Sequence, residues 1–366
     1  MKITIALLVL IYALIVLIVC LKIGHNSAYF LTPDSHYYLQ ATQNMLDGKG
    51  YSIQFENRET FCAIWPIGYP LLIAITSKIT SLSLETASKI VNLLALAGCF
   101  WLLFNRFREK SWWIVLPFLA SSLLQLYANT WSETVFLFFV FGFILLPNSQ
   151  GFFAIVAFLM RYTAVFLLIP LLYYRKWRAT TVFLVFIVSY LVFNYWKTQT
   201  FTGGHGFWPN EPFLARLERG FVGVIQEILF FAVRDWDLKN PHLTLWWQAG
   251  IYGLSALQAG VAVFVFWQLS IYFKKKPTVP LFSPQRTETS VFWRVSLAYF
   301  LFTLVIYLSD SSIENLYFRR LAPSSLLFSL GAMAWISERE ALYQTLKWPI
   351  IVFFLSSVAH AVPKIW

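Results

Sequence analysis

The chain is poor in charge. Of its 366 residues only 12% are Asp, Glu, Lys or Arg, about half the share of a soluble domain. That shortage argues against an ordinary soluble fold, a disordered chain and a nucleic-acid-binding module. Cysteine is scarce as well. Cys20 and Cys99 lie in apolar runs, and Cys62 stands alone in a polar loop. An odd, scattered set gives neither a disulfide framework nor a zinc site. Five dispersed histidines add no metal-ligand cluster, so no metal and no cofactor is expected. Internal repeats and low-complexity segments are missing too.

What fills the chain is apolar. Hydrophobic residues make up 58% of it, and the mean hydropathy is +0.63. A membrane span needs about 20 apolar residues. Such runs lie near 3–22, 86–104, 112–128, 133–147, 151–174, 179–196, 249–273, 291–308, 321–336 and 347–362. The expected fold class is therefore an all-α polytopic membrane protein with about ten or eleven transmembrane helices. Lys2 before Ile3–Leu21 imitates a signal peptide. The run is too long for that and no small-residue cleavage site follows, so it reads as a retained first span.

The balance of 28 Lys+Arg against 17 Asp+Glu leaves a net charge of +11. Basic clusters at Arg106-Arg108-Lys110, Arg175-Lys176-Arg178 and Lys274–Lys276 mark cytoplasmic ends. A cytoplasmic N-terminus satisfies all three on two conditions. The short apolar helix at 67–80 must lie in the outer interface, and 151–174 must break and return. Arg161, followed by Tyr162, sits in the middle of that segment. A straight span would hold its charge in hydrocarbon, whereas two short helices meeting there would expose it at the outer face. Two large outer loops result, 23–85 and 197–248.

Leu31–Gly50 reads as an amphipathic helix lying along the interface. Thr32-Pro33 starts it, Gly48 and Gly50 stop it. Asp34 opens it. Two readings of Asp34 stand: a first-turn carboxylate that complements the helix dipole, or a general base at the membrane surface. Trp65-Pro66-Ile67-Gly68-Tyr69-Pro70 follows, a fixed turn with aromatic anchors.

These two motifs carry a resemblance. Thr32-Pro33-Asp34-Ser35, Tyr38-Leu39, Ala41, Leu46 and Gly50-Tyr51-Ser52, then Trp65–Leu72, resemble the C-type membrane glycosyltransferases. The similarity is to bacterial relatives of the dolichyl-phosphate-mannose protein mannosyltransferases and to the aminoarabinose lipid A transferase. It is strongest over Leu31–Leu72 and weak elsewhere. It implies a sugar donor carried on a polyprenyl phosphate, a hydroxyl acceptor, and an inner-membrane enzyme working on the outer side. It also implies an acid in the first outer loop at the catalytic centre, which is Asp34, and a second acid opening the fourth span, which is Glu133. The broken fifth and sixth spans and a basic residue near Pro at the start of a late span (Arg319-Arg320-Leu-Ala-Pro323) correspond as well. The aminoarabinose enzyme has a Lys where Trp65 stands, so an arginine must take the phosphate here. The Trp-Trp-Asp motif of oligosaccharyltransferases is absent.

The chemistry needs positive charge for a departing phosphate. Arginine supplies bidentate, charge-assisted contacts, and Arg161, Arg319 and Arg320 are the candidates. Trp65, Tyr69, Tyr162, His36 and His205 are candidate substrate contacts. Each has a plainer reading: the arginines and aromatics as interface anchors, Glu133 as a first-turn acid, the Gly-rich 201–209 segment as an ordinary turn. A polytopic transporter or flippase without transferase activity is the alternative function; it would also carry intramembrane Arg and broken helices.

Overall fold

The computed structural model describes residues 1–25, 31–55, 58–203, 212–228, 245–275, 288–309, 316 and 318–361. The first helix, α1 (Lys2–His25), is apolar on every side. Next comes α2 (Pro33–Leu46), which starts as its sequence dictates. The Thr32 hydroxyl accepts from the Ser35 amide, Ser35 answers with its own hydroxyl, and Pro33 takes the first position. Gly48 and Gly50 then carry the chain out at φ 77° and 82°, a region open to glycine.

A hairpin follows that the all-α reading does not contain. Strands β1 (Ser52–Phe55) and β2 (Arg58–Phe61) pair antiparallel, Ser52 opposite Phe61. β1 alternates polar and apolar residues (Ser52, Ile53, Gln54, Phe55), which fits a pleat, whereas β2 carries three polar residues before Phe61. Then α3 (Gly68–Thr80) runs against α4 (Leu84–Phe107). Gly68 is required: a Cβ there would lie 2.6 Å from the Leu159 carbonyl oxygen.

The run at 112–128 is not one span. It divides into α5 (Ser111–Ile114), a 3-10 turn at Leu116–Leu119 and α6 (Ser121–Ala128). Pro117 lies in that turn and removes an amide that a continuous helix would need. A sharper break separates α6 from α7 (Glu133–Leu145): their axes bend by 112°. Here the expected pair of spans becomes one bent pair.

As the sequence predicts, 151–174 is broken at Arg161. α8 (Gln150–Met160) ends there, Arg161 is extended at φ −152° and ψ 132°, and a 3-10 turn leads into α9 (Leu168–Tyr173). Next are α10 (Trp177–Thr198) and, inside the second loop, an amphipathic helix α11 (Phe213–Ile228). The chain closes with α12 (Leu245–Lys275), α13 (Glu288–Ser309), α14 (Phe318–Ser337) and α15 (Glu340–Ala361). α13 packs along α14, and α12 along α15. The core lies among α4, α7, α8, α13 and α14.

Among the described residues, six helices are long and apolar enough to cross a membrane, or seven if the bent pair is one span. The expectation of ten or eleven is corrected to that extent. The difference lies in segments that are apolar but short or interrupted, such as α8 at 11 residues. The protein is an all-α polytopic membrane protein in its architecture, with one small hairpin.

Candidate active site

The α6–α7 break leaves backbone groups without helical partners, in a place with little water to satisfy them. Side chains from two neighbouring helices do so. Asn92 on α4 donates to the Asn129 carbonyl at 2.9 Å. Ser35 on α2 donates to the Thr130 carbonyl at 3.2 Å. The Thr130 hydroxyl meets Ser88 at 2.9 Å and accepts from the Lys89 ammonium at 2.8 Å. Trp131 donates its indole N–H to the Thr32 hydroxyl at 2.8 Å. Ser132 meets the Tyr38 hydroxyl at 3.2 Å. Each residue of the break is thus held from α4, from α2 or from both, and Glu133 follows directly.

Glu133 is fully buried. One of its oxygens, Oε1, accepts from Arg319 Nε and forms an ion pair with Arg161. Arg319 also donates to Asp34 Oδ2, and its guanidinium lies over the Trp131 ring at 4.4 Å. Two acids and two bases from four distant stretches therefore form one chain: Asp34, Arg319, Glu133, Arg161. Buried charges survive only when paired in this way. The pairing is incomplete. Glu133 Oε2 and Arg161 Nε are buried with no hydrogen-bond partner among the described residues.

The structure brings together Asp34, Glu133, Arg161 and Arg319 of the expected site residues. Arg161 differs in one respect from an openly exposed charge: it is half-buried against Glu133, with its side chain 16% accessible. The Arg320 side chain is half-buried at the next position of α14, within electrostatic range of Tyr299. The aromatic candidates stand behind the cluster rather than in it. Trp65 stacks on Tyr37 with ring centroids 5.3 Å apart and leans on Tyr38 at 5.4 Å. Tyr69 meets Tyr38 edge-on and donates to Asn92 at 3.2 Å. Tyr162 donates to the Ala63 carbonyl at 2.8 Å and accepts from Asn194. These rings are wedges and ties, which is why the motif has them at fixed spacing. His36 is exposed on α2 and does not join the cluster. His205 lies outside the described residues, as do Arg234, Asp235 and Asp237.

Burial pushes the Tyr38 hydroxyl well up, with weaker opposing effects from the neighbouring arginines and acids. Tyr38 therefore stays protonated as a neutral hydrogen-bonding partner of Ser132. Among the described residues no three His, Cys, Asp or Glu side chains gather in one place.

The sequence reading passes over Lys89, Asn92 and Trp131. Lys89 carries the signal that finds it: a lysine just inside an apolar run is expensive and needs a reason. Trp131 carries none; its role appears only once Arg319 is beside it.

No family model, no curated protein and no solved structure matches the chain.

Proposed function

We propose that the protein is an integral membrane glycosyltransferase that moves one sugar from a polyprenyl-phosphate donor to a hydroxyl acceptor on the outer side of the membrane. One observation carries the reading. The acids and bases singled out by the resemblance, far apart in sequence, meet in a single cluster at one end of the helix bundle. A structural ion pair needs one acid and one base; four charges with orphaned buried atoms make a site.

In this reading Arg319 and Arg161 hold the donor phosphate and stabilise the charge that builds on it as it departs. The leaving group is already a good one, so no acid catalyst is required, unlike a glycosidase with its two carboxylates. Asp34, the more accessible carboxylate, takes the acceptor's proton. The acceptor oxygen bonds to the anomeric carbon from the face opposite the phosphate. The bond from that carbon to the phosphate oxygen breaks, and its electron pair leaves with the phosphate. A single displacement inverts the anomeric configuration. Glu133 fixes both guanidinium groups.

The test uses purified protein and a labelled polyprenyl-phosphate sugar. Product is expected with the natural protein and inverted at the anomeric carbon. Asp34→Asn should lower turnover on the order of 10²–10⁴-fold, the usual contribution of a general base. Normal turnover by that variant removes Asp34 from the mechanism.

A further inference from the structure

The ion cluster contains its own competitor. Arg319 is one of the two cations read as holding the phosphate, yet it already holds Asp34. The two acids on Arg319 are not equivalent. Glu133 is gripped by two guanidinium groups and its side chain is 0% accessible, whereas the Asp34 side chain is 30% accessible. Asp34 sits on the first turn of α2, at the open side of the cluster, and Arg319 is the partner described for its carboxylate. Of the two, Asp34 is the one that can leave without stranding a charge in the interior.

The charges make the exchange close. Two carboxylates balance two guanidinium groups at rest. A phosphodiester, such as a lipid-phosphate sugar, carries a single negative charge. Placed beside an unmoved Asp34 it would meet a like charge at short range. Placed where Asp34 rests, it restores the balance at Arg319 one for one. Trp131, stacked on the guanidinium at 4.4 Å and tied to Thr32, keeps Arg319 aimed while its partner changes.

We infer that the Asp34 carboxylate occupies the phosphate subsite of the empty protein, and that a bound phosphodiester displaces it from Arg319. The inference rests on the glycosyl-transfer reading and adds an order of events. Displacement frees Asp34 to take a proton only once a donor is seated, so water meets no liberated base in the empty site. Asp34 is then both placeholder and base.

The consequence runs against the usual effect of removing a site residue. Deleting the placeholder should strengthen phosphate binding. Occupancy of Arg319 by Asp34 multiplies the apparent affinity by the fraction of molecules left open. If one molecule in ten is open, binding of the natural protein is weakened roughly tenfold.

The probe is methyl farnesyl phosphate, a phosphodiester with one lipid tail and no sugar, titrated into detergent-solubilised full-length protein by calorimetry. Asp34→Asn and Asp34→Ala should both bind it roughly tenfold more tightly than the natural protein. The gain should vanish in the Asp34→Asn, Arg319→Gln double variant, since the cycle isolates the pair. Unchanged or weaker binding in both single variants, with thermal unfolding showing them folded, overturns the exchange. Loss of turnover in those variants would then leave the glycosyl-transfer reading standing. Failure of the natural protein and both variants to bind the probe removes the inference and counts against the donor class itself.

Discussion

Arg319 touches Asp34, Glu133 and Trp131 at once, and no single partner accounts for its position. Arg161 has a narrower task, because its described ion-pair partner is Glu133. Removing it leaves the buried Glu133 with Arg319 alone among its two described cations. Arg161→Met should therefore cost stability, with about 3–5 kcal/mol, the expense of breaking a buried pair from one side, as the upper bound. Adding Glu133→Gln should recover most of that loss, while turnover stays absent in both. Thermal unfolding of the two variants, with product assays beside it, checks both halves. At this scale much of the site was legible. A charge in an apolar run marks Arg161, and a capping pattern marks Asp34. The pairing of Arg319 with Asp34 was not, because 285 positions separate them and no local rule links them.

Elements explain the rest. Caps and breakers are local chemistry, so the start of α2 and the interruption at Arg161 could be read directly. The bend between α6 and α7 could not. Asn129–Ser132 contains neither Pro nor Gly, and the break is held by Asn92, Ser88 and Lys89 from another helix. α11 was hidden for a related reason: two of its charged residues, Arg216 and Glu227, are buried. Arg216 donates to the Tyr307 and Leu308 carbonyls, each at 3.1 Å, at the end of α13, where a cation suits the helix dipole. Glu227 accepts from Ser122 and Ser325. Burial raises Glu227 to about 8, the two serine hydroxyls opposing. Below pH 4.5 the folded and unfolded chains both keep the proton; from 4.5 to about 8 only the folded chain does. Unfolding releases it there, so stability falls as pH rises across that window, by up to about 1.4 kcal/mol per unit. Melting temperatures at the two ends of the window should show the decline in the natural protein and a flattened response in Glu227→Gln.

For the molecule as a whole, composition alone announces a polytopic membrane protein, and the helices agree. The number of spans was less legible, since hydropathy counts apolar residues and not the breaks between them. The ends of the bundle are distinct. α4 and α14 both run from the ion cluster to a basic end, where Lys110 donates to the Ser337 carbonyl at 2.6 Å. If the cluster faces outward, Lys49 and Glu109, both exposed, lie on opposite sides. With Cys20 replaced by Ala, Lys49→Cys should react with an impermeant maleimide in intact cells, and Glu109→Cys only after permeabilisation. The reverse pattern inverts the whole orientation. One helix has a consequence for its surroundings. α12 is 31 residues long, about 46 Å at the usual rise, against a hydrocarbon layer of about 30 Å. It is fastened along one flank to α15, Tyr272 and Phe273 meet Trp335 of α14, and most of its other described side chains are half-buried or exposed. Such a rod must lean or protrude, so the thickness of the host bilayer sets its tilt, and lipid chain length becomes a variable that the folded protein senses.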